Sequence, residues 1–182
     1  MKSKRIAGLL TVLLLVSFLP TQALRESMPV PESSPNQLFY LQRSKDANTI
    51  IYEARLLANH KLDPVKPVDV YWIRYAEKGQ REDLSAMQWR MAYGYKHKPA
   101  SVSDTYDISL HAFEERPLQV TYHQGKPVAT MLISGQRASL RKVFVQIDPK
   151  PHLIPHVTYV EMFGTSLTTN LPVYERIVPD YQ

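Results

Sequence analysis

Two histidines four residues apart offer the first spacing that could do chemistry. His152 and His156 have the separation of a metal-ligand pair on one face of a helix. Pro151 and Pro155 stand in the same stretch, however, and Pro155 denies a helix its backbone donor and clashes with the preceding turn. Extended, the two rings lie about 13 Å apart at roughly 3.3 Å per residue, too far to share a zinc held at about 2.1 Å from each nitrogen. Only a turn at Leu153-Ile154-Pro155 would bring them together, so the stretch reads as a loop with two solvated histidines. No metal and no cofactor is expected. The chain has no cysteine nucleophile, G-x-S-x-G elbow, G-x-G-x-x-G loop or Walker loop. Glu114 and Glu115 are neighbours, and on a strand neighbours point to opposite faces. His111 falls on the polar face of its segment. No catalytic residue is assigned.

The constellation with most chemical content runs from Val68 to Gln80. Period-two alternation puts Val68, Val70, Trp72 and Arg74 on one face, so a guanidinium follows a large apolar patch and needs a partner or water. Val157, Tyr159, Glu161 and Phe163 likewise share a face, with Glu161 the polar exception. The economical expectation is that Arg74 and Glu161 meet inside or at the rim of the fold. As a structural bridge the pair fixes strand register. As a site, Arg74 holds an anionic group, walled by Trp72, Tyr75, Trp89, Tyr93 and Tyr95. The candidate binding residues are Trp72, Arg74, Tyr75, Glu77, Trp89, Tyr93 and Glu161. Glu77, Glu161 and His97 are the nearest candidates for an acid/base site.

The elements that must position these residues read as short strands. Runs rich in Val, Ile, Tyr and Phe recur between Gly, Pro, Asn and Asp. Strands are expected at Leu38–Arg43, Thr49–Leu57, Val68–Tyr75, Thr105–Phe113, Leu118–His123, Val128–Ser134, Ser139–Ile147, His156–Phe163 and Val173–Val178. Ser44 to Asn48 is a hairpin connection, and Gln124-Gly125 and Ser134-Gly135 mark tight turns. Gln80 to Ala92 reads instead as a helix, with Leu84, Met87 and Met91 at helical spacing, Gly79 as N-cap, Glu82 and Asp83 in the first turn and Gly94 closing it. The expected fold is mainly β: an antiparallel barrel or sandwich of about nine strands with one α-helix packed at one end.

The N-terminus sets the compartment. Lys2, Lys4 and Arg5 precede an apolar block from Ile6 to Leu19, and Pro20 and Thr21-Gln22-Ala23 follow. The block is about 14 residues, roughly 21 Å as a helix, against the ~30 Å of a bilayer core. It reads as a secretory signal peptide over residues 1–23, cleaved after Ala23, which leaves no stable membrane span. A periplasmic or secreted location follows. Residues 24–37 form an extended, mobile Pro/Ser-rich leader, residues 38–178 a single β-rich domain, and 179–182 a tail. With Lys2, Lys4 and Arg5 removed, 19 basic and 17 acidic residues remain. No run of Lys and Arg forms a stripe, which argues against nucleic acid as a partner. The absence of cysteine rules out a disulfide and a lipid on a cleavage-site Cys, so the domain relies on core burial.

Three runs carry a resemblance: Pro35 to Arg43, Val70 to Gln80 and Tyr159 to Thr165. They resemble an uncharacterised family of exported bacterial proteins, domain of unknown function 4833, over about Pro29 to Pro179. The resemblance implies a bacterial envelope protein with one β-rich domain, and it implies no activity. The leading expectation is a non-enzymatic envelope module that binds a small or amphipathic ligand, or an envelope partner, at the helix-covered end. The alternative is an envelope hydrolase whose carboxylate/His site is assembled by folding. A third reading is a scaffold component that associates through a strand edge or apolar patch. Nothing in the sequence specifies an oligomeric state.

Overall fold

A computed structural model of the chain describes residues 28–150 and 156–180. The expected signal peptide and His152 lie outside the described residues. Eleven strands form: β1 Gln37–Arg43, β2 Asp46–Ala54, β3 Val68–Arg74, β4 Gln80–Asp83, β5 Tyr95–Pro99, β6 Thr105–Leu110, β7 Leu118–His123, β8 Lys126–Ile133, β9 Gln136–Ile147, β10 Val157–Ser166 and β11 Pro172–Ile177. One short helix, α1 (Ala86–Gln88), continues as a π turn over Trp89–Tyr93. No helix among the described residues is long and apolar enough to cross a membrane.

The strands build one mixed sheet in the order β4-β3-β2-β1-β9-β8-β7-β6-β5, with β10 on β9 and β11 on β10. It curls into a half-barrel. The expectation of a closed antiparallel barrel fails on two counts. The end strands β4 and β5 do not pair with each other, and β1 runs parallel to β9. Strand β9 causes both. Its one edge carries β10 along almost its whole length, from Ala138 to Ile147. Its other edge is divided: Gln136–Ser139 pairs with β8, and Lys142–Val145 pairs with β1. The sheet therefore forks at β9, and its two wings curl around a common core.

That core is apolar and closely filled. Phe39 stacks on Tyr52 at 4.3 Å, and Trp72, Ile50, Ile133, Leu140, Val120 and Met162 are fully buried with them. Three polar contacts tie the wings together. The Tyr95 hydroxyl accepts from the Val68 N–H at 3.0 Å and donates to the Val68 carbonyl at 2.7 Å. The Tyr52 hydroxyl donates to the Tyr93 carbonyl, and the Leu62 N–H donates to Asp104. Burial holds the Tyr52 hydroxyl well above the ordinary tyrosine range and pushes Tyr95 up to about 12.

Two local expectations change. Gln80–Asp83 is an edge strand and not the first turn of a helix. Lys78 and Gly79 both take positive φ (72° and 77°), which turns the chain back onto β3. These four residues bury nothing, so there is no apolar stripe to hold a helix down. The helix begins at Ser85, whose side chain accepts from the Gln88 N–H while Gln88 returns the bond, a capping box. Gly94 closes it by donating to the Trp89 carbonyl at 2.9 Å. The two glycine turns do form: Gln124-Gly125 and Ser134-Gly135 all have positive φ, as two-residue hairpins require.

Candidate functional site

The residues expected to form a site divide between the two wings. Arg74 does not meet Glu161, because β2, β1 and β9 lie between their strands. Arg74 donates from Nε and Nη2 to Glu82 at 2.8 and 3.0 Å, and its Nε lies 3.6 Å from Glu77. The hydrogen bond to Glu82 is also what lifts the Arg74 guanidinium and lowers the Glu82 carboxyl. Glu161 accepts from Arg176 at 2.6 Å and from the Tyr174 hydroxyl at 2.9 Å. The reason is register. The inward residues of β10 are Val160 and Met162, so Glu161 and Phe163 belong to the outer face. The missed partners were Glu82, placed in a helix turn, and Arg176.

The aromatic wall at the helix end is packed core. Trp72 is 1% exposed, edge-on to Tyr93 at 5.2 Å, with the Arg43 and Arg74 guanidiniums 4.9 and 5.0 Å from its ring centre. Tyr93 accepts from Arg43 Nη1 at 2.9 Å. Trp89 lies 5.2 Å from Tyr95, and Tyr75 packs over Gly79. Sequence reasoning thus found a real cluster, and its use is to close the half-barrel. The acid/base candidates are not gathered: Glu77 faces Arg74, His97 contacts the Pro64 carbonyl at 3.2 Å, and Glu161 is held by Arg176 and Tyr174. No group of three metal-ligating side chains occurs among the described residues.

An open concavity lies elsewhere, on the outer face where β1 and β8 diverge from β9. It is a groove of about 1480 Å³. Its floor is built by a β-bulge. Leu140 pairs with Gly164 and Lys142 with Phe163, which leaves Arg141 as the extra residue on β9. Leu140 and Val143 both point into the core, so the bulge turns two successive cations, Arg141 and Lys142, to the outside. Gly164 makes this possible. A Cβ there would stand 2.6 Å from the Ser139 carbonyl oxygen and 2.7 Å from Ile133 Cδ1.

Side chains from four strands complete the groove. Lys142 Nζ lies 5.9 Å from the Tyr40 ring and 5.8 Å from each of Phe144 and Phe163, so its stem is held among aromatic faces. Arg137 donates to Thr130 at 3.1 Å and to Gln119, and these bonds fix its fork. Lys126 enters from the β7–β8 turn. Burial raises the Tyr40 hydroxyl, and the Arg141 charge pulls it partly back. The described part of the leader, from residue 28 on, forms the remaining wall and is seated on the sheet. Pro31 is buried, Gln42 donates to the Pro29 carbonyl at 2.7 Å, and Ser34 donates to Glu53.

The electrostatic balance of the lining is one-sided. Lys126, Arg137, Arg141 and Lys142 line the groove, and among the described residues no Asp or Glu does. Glu32 of the leader is not among the lining residues. Lys126, Arg137 and Arg141 have no salt bridge with any described residue. Glu161 lies behind Tyr174 and is already engaged by Arg176. A concave surface with four cations and aromatic rings beside them can hold an anionic group.

The chain belongs to the family described as a domain of unknown function (DUF4833), whose model matches residues 39–176. That span begins in β1 and ends in β11, so it contains the whole sheet and the forked strand under the groove. No curated protein and no solved structure matches the chain.

Proposed function

We propose that this DUF4833 protein is an exported, non-catalytic binding module of the bacterial envelope, and that the groove at the fork takes an anionic ligand. The N-terminal pattern of Lys2, Lys4 and Arg5, a short apolar block and Thr21-Gln22-Ala23 supports export. The observation that carries the binding reading is the lining: four cations, no carboxylate among the described residues, and aromatic rings beside the charge. Expectation placed the ligand at the helix-covered end. The filled core there favours the outer groove instead.

The reading is tested by calorimetric titration with a soluble, monomeric amphiphile in two headgroup forms. Dihexanoyl phosphatidylglycerol should bind and dihexanoyl phosphatidylcholine should not. Arg141→Glu should weaken binding by about tenfold or more, and affinity should fall as salt rises from about 50 to 300 mM. Equal binding of both headgroups, or an unchanged affinity in Arg141→Glu, refutes the groove as the anion site.

A further inference from the structure

The hairpin that joins β10 to β11 forms one rim of the groove, and its composition is unusual for this chain. From Gly164 to Tyr174 no residue is charged. Leu167 and Leu171 are 54% and 63% exposed at its tip, and Tyr174 is 46% exposed on its flank. The tip is also self-satisfied. The Ser166 N–H donates to the Leu171 carbonyl, Leu167 to the Arg137 carbonyl and Asn170 to the Ser166 carbonyl. Thr168 and Thr169 donate to the Ser166 hydroxyl and Leu171 to the Thr169 hydroxyl. Every backbone N–H from Ser166 to Leu171 therefore has an acceptor. A loop with orphan amides would lose several kcal/mol on leaving water, and this one carries no such penalty on its donors.

We infer that the β10–β11 tip docks into the interface of an anionic lipid bilayer, with Leu167 and Leu171 at acyl-chain depth and the groove cations at the headgroups. This rests on the groove reading above and names what presents the anion. The surface groups what an interface holds: Leu167 and Leu171 exposed on either side of the Thr168-Thr169-Asn170 apex, Tyr174 and Phe163 on the flank, and Arg137, Arg141, Lys142 and Lys126 in the adjoining groove. Charge complementarity selects the surface, since Lys and Arg close to an anionic leaflet are each favourable and Lys126, Arg137 and Arg141 have no salt bridge with any described residue. The tip alone would be a small apolar patch. Its continuity with the cationic groove through Leu167, which lines the groove and bonds to the Arg137 carbonyl, makes it one surface.

The test uses protein purified after expression of the full chain and vesicles of phosphatidylcholine with or without about 30 mol% phosphatidylglycerol. Wild type should sediment with the anionic vesicles and not with the neutral ones. Leu171→Ser, at the tip and outside the groove lining, should lower vesicle partitioning roughly 10-fold while leaving the affinity for soluble dihexanoyl phosphatidylglycerol unchanged. Arg141→Glu/Lys142→Glu should lower both, by on the order of 100-fold for vesicles. A Leu171→Ser variant that partitions like wild type overturns the docking inference and leaves the groove reading intact. So does a wild type that binds the soluble lipid but ignores vesicles, or one whose tip instead mediates a dimer that Leu171→Ser dissolves. Failure to bind the soluble lipid at all overturns the groove reading itself.

Discussion

Gly164→Ala tests whether the groove floor depends on close approach of two backbones. An added Cβ would meet the Ser139 carbonyl oxygen at 2.6 Å and Ile133 Cδ1 at 2.7 Å. Ordinary contact begins near 3.4 Å, so each neighbour must give by about 0.7 to 0.8 Å. Ile133 can rotate. The Ser139 carbonyl cannot, because Ser139 is paired with Thr165 on one side and with Thr130 on the other. Overpacking of this kind costs about 1–3 kcal/mol, and the chain-entropy advantage of Ala over Gly returns about 0.5–1 kcal/mol. The net expectation is a loss of roughly 1–2 kcal/mol, a fall in Tm of about 2–8 °C for a domain of this size. Differential scanning calorimetry measures it. The double variant Gly164→Ala/Ile133→Val separates the two contacts, since it removes only the methyl clash. Partial rescue is expected. An unchanged Tm in Gly164→Ala, or full rescue in the double variant, would refute the argument that a backbone contact sets the bulge. Anion affinity supplies a second readout. Arg141 leaves the ladder, and Lys142 pairs with Phe163, directly beside the Leu140–Gly164 pair, so separating β9 from β10 should weaken binding as well.

Two further outcomes follow from buried polar contacts. Tyr95→Phe should cost about 1–3 kcal/mol by urea denaturation, because it strips the partner from both backbone groups of Val68 while leaving the ring's packing in place. Glu175 sets an acid limit. Burial raises its carboxyl, but the Arg116 hydrogen bond, the Ser134 N–H and the Arg116 charge together hold it below the ordinary value. A depressed folded pKa contributes stability above the unfolded value of about 4.3 and loses it as pH falls through the folded value. The urea midpoint should therefore drop below about pH 4, and Glu175→Gln should flatten that limb while lowering the plateau near neutral pH.

Much of the sheet is legible because it obeys local rules. Phe39, Leu41, Ile50, Tyr52, Val70 and Trp72 form the buried face that β-branched and aromatic alternation announces, and both glycine turns take the positive φ that their residues favour. The errors fall where local pattern is ambiguous. Gln80–Asp83 has the acidic residues of a helix start, yet Lys78-Gly79 reverses the chain first, and the Arg74–Glu82 bond rewards the strand. For β10, apolar residues stand on both faces: Val160 and Met162 on one, Tyr159 and Phe163 on the other. Periodicity cannot say which face is the core. The choice was settled by β9, whose Val143 and Val145 are the cross-strand neighbours of Met162 and Val160.

The groove was not read for a related reason, though it left a trace. The run Ala138-Ser139-Leu140-Arg141-Lys142-Val143 alternates until two cations occur together, and a strict strand would send one of them into the core. A buried, unpaired Arg or Lys is too costly to accept, so the doublet itself implies an extra residue on that strand. What the doublet cannot supply is its surroundings. Lys126 and Arg137 lie in or beside hairpin turns, Tyr40 arrives by a parallel pairing across about a hundred residues of sequence, and the leader closes the far wall. Each is ordinary alone. The one-signed surface exists only because β9 divides an edge between two strands, and an edge shared in this way is a non-local property that no window of sequence contains. The same fork explains why the aromatic cluster misled. Trp72, Tyr93 and Tyr95 seal the interior of a sheet that does not close on itself, so the densest aromatic segment marks the seam of the fold and the proposed groove faces away from it.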